Sequence, residues 1–179
     1  MSKAILLMLL GLLAGCSVGD APEQKAAKDS HAAEAKGEKW DRMPAGQVNG
    51  RDKTFLSLNA TSSIHVQDKN FTPELNIGCG PGSHVYVKVP ATEDRNVRVA
   101  FDQSAPVQQK WFVGPDHDVL GPPTNEAEHF FLGQLLGAKL FRLEFTPKGG
   151  TPQSVTFNVL DLGDIMNHDT ACTSWLTHR

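Results

Sequence analysis

The sequence lacks a surplus of positive charge: 17 basic residues face 20 acidic ones, for a formal net charge of -3. Nothing in that balance would neutralise a phosphate backbone, so nucleic acid is not an expected partner. It also lacks a membrane-spanning run. Its only sustained apolar stretch, residues 4–13, is shorter than the roughly 20 residues a helix needs to cross about 30 Å of hydrocarbon. Cysteine is scarce, with three in 179 residues. The zinc-hydrolase pair H-E-x-x-H and the S-x-x-K sequence do not occur, so two common hydrolase signatures are missing. What is present is 40% apolar and 21% charged residues with 16 Gly and 11 Pro, the composition of a loop-rich globular domain rather than a disordered, collagenous or coiled-coil chain.

Lys3, the apolar run and the small residues Ala14 and Gly15 lead to Cys16 in the order of a secretory signal. Leu13-Ala14-Gly15-Cys16 closely resembles the lipobox of bacterial lipoproteins, which implies that the Cys16 thiol is acylated and that cleavage makes it the first residue. Ser17, rather than Asp, follows it, and in the lipoprotein pattern this implies transfer to the outer membrane. The alternative is an ordinary signal peptide cut nearby, with Cys16 incidental. From Ser17 to Lys39 there is no aromatic, Leu or Ile, so this stretch cannot bury enough surface to fold and reads as a tether of roughly 25 Å reach. The expected organisation is a lipoprotein signal peptide at 1–15, a lipidated Cys16 with a flexible tether at 16–39, and one folded domain at 40–179.

If Cys16 carries lipid, Cys79 and Cys172 remain, and an even remainder in an exported chain reads as one disulfide. Closing a loop of roughly 90 residues would contribute about 4.5 kcal/mol by chain entropy. The competing reading is a free Cys79 nucleophile partnered by His65, His84 or His117, a thiolate that an oxidising compartment would threaten.

From Trp40 onward the dominant signal is period-2 alternation. Val85, Val87 and Val89 alternate with Tyr86 and Lys88, and Val97, Val99 and Phe101 alternate with Arg98 and Ala100; across the loop that begins at Pro90 these two predict adjacent strands. Phe141 to Phe145 and Val155 to Val159 flank Gly149-Gly150 and predict an antiparallel hairpin. Weaker strands are expected at Phe55 to Leu58, Ile64 to Val66, Leu75 to Gly78 and Val107 to Val113. Asn125 is the expected cap of a helix that carries Glu128, Phe131, Leu132, Leu135 and Leu136 and ends at Gly137. A last short helix is expected around Leu162 to Thr170. Seven or eight short strands predict a mainly β fold, an antiparallel β-sandwich or partly open barrel with one or two short helices.

The order of Leu75-Asn76-Ile77-Gly78-Cys79, the two alternating strands, Gln109-Lys110-Trp111, the helix through Phe130-Phe131 to Leu136, the hairpin from Leu143 to Pro147, and Ala171-Cys172-Thr173-Ser174-Trp175 resembles the VasI/TagO family. These are accessory proteins exported to the envelope of bacteria with type VI secretion systems. The resemblance spans roughly residues 54–175, and it implies an accessory or binding role with no catalytic residues to carry across.

Among constellations that could carry chemistry, Asp116-His117-Asp118, with His129 nearby in sequence, is the most metal-like. Adjacent side chains of this kind do not converge on one ion without an unusual turn, so a solvated loop is expected and no metal or cofactor. Gly78-Cys79-Gly80-Pro81-Gly82 lacks the order of a phosphate loop and reads as a tight turn beside the disulfide. Trp111 is expected in the core, while Trp40 and Trp175 flank the domain and are the expected partner-binding anchors. The leading expectation is a non-enzymatic module, lipid-anchored at the periplasmic face of the outer membrane, that binds an envelope protein or the cell wall. The alternatives are a lipoprotein inhibitor of a lysozyme-like hydrolase, and a metal-dependent hydrolase using the 116–118 cluster.

Overall fold

Twelve strands and three helices form among the residues described by this computed structural model, 40–82 and 84–177. The expected signal peptide, Cys16 and tether lie outside the described residues. One antiparallel sheet holds β1 (Asp41–Val48), β2 (Arg51–Asn59), β5 (Glu74–Cys79), β6 (Val85–Lys88), β10 (Val119–Gly121) and β9 (Phe112–Val113), in that spatial order. A second holds β12 (Gln153–Asn158), β11 (Leu140–Phe145), β7 (Asn96–Phe101) and β8 (Val107–Lys110). β3 (Ile64–Val66) and β4 (Lys69–Phe71) form a separate hairpin.

Alternation places Leu56, Leu58, Leu75, Ile77, Val85 and Val87 of the first sheet in the core, and Val97, Val99, Phe141, Leu143, Phe145, Val155 and Phe157 of the second, all at most 2% exposed. Burying each large apolar side chain contributes about 1.5–3 kcal/mol before chain entropy is offset, so this core is the main stabilising term. The architecture is the expected mainly β, sandwich-like one, and the sheets do not close into a barrel.

Several expectations are corrected. β6 and β7 are not neighbours: β6 pairs with β5 and β10, while β7 pairs with β11 and β8. Alternation reports which face of a strand is buried, and it is the same whether two strands pair or belong to separate sheets. The loop between them crosses from one sheet to the other. It is tied there by Thr92, which is fully buried, donates Oγ1–H to the Thr146 carbonyl at 2.7 Å and donates its N–H to the His117 carbonyl at 2.7 Å.

The segment 107–113 is two strands, because the chain leaves the second sheet at Trp111 and joins the first. Trp111 is 1% exposed, and its indole N–H donates to Gln109 Oε1 at 2.8 Å. The C-terminal segment is two helices, α2 (Leu162–Asn167) and α3 (Thr170–Thr177), so the described residues hold three helices where one or two were expected. The remaining helix, α1 (Asn125–Gly137), and the hairpin β11–β12 form where expected, with Gly149 of the hairpin turn at φ +69°. Among the described residues no helix is long and apolar enough to cross a membrane.

Candidate functional site

The site grows from the start of α1. Pro122 and Pro123 fix the approach, and Thr124, not Asn125, is the cap: its extended backbone lets Oγ1 accept the Ala127 N–H at 3.2 Å. Asn125 is thereby released to the surface as the first helical residue. Farther along, Phe131 drives α1 into the core, packing edge-on against Trp111 at 5.2 Å and Phe141 at 5.1 Å between centroids. This anchoring sets the position of Glu128 one turn earlier.

Glu128 is 8% exposed, and its carboxylate contacts His84 Nδ1 at 3.1 Å and 3.3 Å. A carboxylate only accepts, so Nδ1–H of His84 donates and the ring keeps Nε2 for another partner. The contact stands between two hollows that share His84, Asn125 and Glu128. On one side is a cleft of about 520 Å³ with Arg51, Asp52, His129, Ser174 and Trp175 in its walls. The His129 and Trp175 rings meet edge-on at 6.1 Å. On the other side is an apolar slot of about 360 Å³ lined by Tyr86, Phe112, Val119, Gly121, Pro122 and Pro123.

The slot follows from strand order. β10 lies between β6 and β9, and Gly121 pairs with Phe112. Continuing the β6–β10 register one step beyond Leu120 opposite Val87 brings Gly121 beside Tyr86. A Cβ at Gly121 would lie 2.9 Å from the Val85 carbonyl oxygen and 3.5 Å from the Tyr86 Cβ. Phe112, 51% exposed, and Tyr86 therefore flank a position that carries no side chain. Burial pushes the Tyr86 phenol above its ordinary range, and the Glu74 and Asp118 carboxylates add to this, so it stays a neutral ring with a hydroxyl donor.

No family model and no curated protein matches this chain. Among solved structures, the crystal structure of invasion associated protein B from Bartonella henselae resembles it. The two superpose with a TM-score of 0.50 at 13% identity, over 79% of this chain and 95% of the other. At that identity the likeness extends to the fold alone.

Of the residues singled out in the sequence, Cys79 and Cys172 are joined in a disulfide with Cα atoms 4.6 Å apart, which removes the free-thiolate reading of Cys79. Trp40 is 6% exposed and part of the core, so its ring is not presented to a partner as expected. Trp175 is partly buried at the mouth of the polar cleft. Asp116, His117 and Asp118 occupy the turn between β9 and β10, where the His117 backbone adopts φ +60° and its N–H closes the turn on Gly114. His129 faces the cleft instead. Among the described residues no three His, Cys, Asp or Glu side chains are placed to hold a metal ion, so the 116–118 cluster does not assemble as a metal site. His65 is engaged with Asn70 across the β3–β4 hairpin.

Sequence reasoning missed Tyr86 and Phe112 and read Asn125 and Glu128 only as helix-capping residues. The phase of alternation carries part of the signal, since an inward Trp111 turns its neighbour Phe112 outward. That Tyr86 stands two strands away on the same face depends on a strand order that no local pattern encodes.

Proposed function

We propose that the chain is a binding module of the bacterial envelope, anchored by lipid at Cys16 to the periplasmic face of the outer membrane, which takes a wall or protein partner on the cleft beside α1. The observation that carries this reading is the pair of adjoining hollows that meet at His84 and Glu128, one of them flanked by the exposed Phe112 ring. A concave surface with an apolar part and a few convergent polar groups is the usual form of a recognition site. The lipobox-like tetrad and the resemblance to type VI secretion accessory proteins support the location and the accessory role.

The test places a photo-reactive residue at position 112 in intact cells and compares it with one at Lys69 in the β3–β4 hairpin. A specific envelope adduct from 112 and not from 69 is expected. Equal labelling from both positions, or none from 112, would overturn the assignment of the cleft. Intact mass of the mature chain should carry the acyl mass on Cys16, and an unmodified first residue would remove the anchor.

A further inference from the structure

We infer that the cleft recognises an uncharged glycan of N-acetylated hexosamine units, an assignment that rests on reading this cleft as the binding surface. The first argument is width. Tyr86 and Phe112 stand two strand spacings apart with Gly121 between them, so their backbones are separated by roughly 9.5 Å. One flat ring in van der Waals contact on both faces needs about 7–8 Å, so the gap admits a single ring and no stacked pair. The C–H face of a pyranose is apolar and suits such a gap. Val119 and Pro123 beside it offer an apolar wall to an acetamido methyl group.

The second argument is charge. Beyond the slot, Arg51 and Asp52 contribute one charge of each sign, and the Glu128 carboxylate is engaged by the His84 N–H. Apart from the Glu128 carboxylate, which is 8% exposed and already engaged, such a wall has no uncompensated charge to gather an ionic ligand, yet it offers several fixed donors and acceptors. Asn125 adds an amide, and His129 lies close by with the Trp175 ring against it. A ligand that combines hydroxyl and amide groups with apolar faces, and no charge of its own, matches both halves.

The third argument concerns the competing occupant, an extended peptide. A peptide adding a strand would need the free edge of β9, which is only two residues long, Phe112–Val113, between the buried Trp111 and the turn at Gly114. So short an edge cannot support a ladder of main-chain hydrogen bonds.

The probe is the β-1,4-linked tetramer of N-acetylglucosamine, added to the folded mature chain and followed by amide chemical shifts and by calorimetry. Saturable shifts are expected at residues 84–86, 112, 119–129 and 174–175. Phe112→Ala and Asn125→Ala should each weaken binding about tenfold without moving the thermal midpoint, because both side chains are exposed. The β-1,4-linked glucose tetramer, equally uncharged but without the acetamido group, should bind worse. Absence of shifts at millimolar sugar, or equal affinity in Phe112→Ala, would overturn the glycan assignment. If the sugar fails while position 112 still gives its specific adduct in cells, the ligand class falls and the cleft stands; if both fail, both fall.

Discussion

Asp169 is a carboxylate 1% exposed, and three donors converge on it: the Cys172 N–H at 3.0 Å, Arg42 Nε at 2.6 Å, and the Thr54 hydroxyl. Burial alone would raise its pKa. The three hydrogen bonds and the Arg42 charge outweigh burial, and the carboxyl is held below the usual range. A folded-state pKa below the unfolded one stabilises the fold fully above the unfolded value, and that stability is lost as pH falls through the folded one. Asp169→Asn should therefore cost about 2 kcal/mol near neutrality. Its deficit against the wild type should shrink below about pH 4. Denaturant titrations at a series of pH values check this, and a deficit that stays constant into acid would contradict it. Since Arg42 belongs to the exposed edge strand β1 and Asp169 caps α3, one residue fastens two elements 127 positions apart.

Among the elements, the hairpin β11–β12 was legible because everything that defines it is local: two alternating runs and a glycine turn. The position of β6 relative to β7 was not. Thr92 and its contacts with Thr146 and His117 decide it, and those partners lie far along the chain. The candidate site divides in the same way. Glu128 and Asn125 were visible as helix-start residues, and their role beside His84 depends on where β6 lies. The start of α1 offers a discriminating measurement. Thr124→Ala removes the cap and should lower stability by about 1 kcal/mol, whereas Asn125→Ala should stay within about 0.5 kcal/mol. Thermal midpoints of the two variants check the order, and the reverse order would return the cap to Asn125. Gly80 illustrates a local constraint of another kind: at φ +102° a Cβ would lie 2.5 Å from the Asp52 carbonyl oxygen, so the turn beside the disulfide tolerates no side chain.

For the whole molecule the dominant covalent constraint is the Cys79–Cys172 bond, which spans 93 positions. Chain entropy assigns it about 4.5 kcal/mol, a large share of the about 5–15 kcal/mol that separates folded from unfolded domains. Urea unfolding of a Cys79→Ala/Cys172→Ala chain should show a midpoint lowered accordingly and a steeper dependence on denaturant, because the uncrosslinked unfolded state exposes more surface. An unchanged midpoint would show that the reduced chain loses nothing the bridge supplies. Both cysteines are fully buried, so reductant should act at the rate of opening rather than of thiol attack.

That bridge also borders the cleft, for Gly80 and Ala171, each next to a bonded cysteine, lie in its polar wall. In a reducing cytosol the sulfurs would stay apart, and only non-covalent contacts, the Arg42–Asp169 pair among them, would hold the two stretches of wall together. On the proposed export and the proposed use of this cleft, recognition would be acquired only once oxidising surroundings close the clasp. Thiol-trapped and oxidised preparations, compared for the same ligand, should differ in affinity even where both are folded.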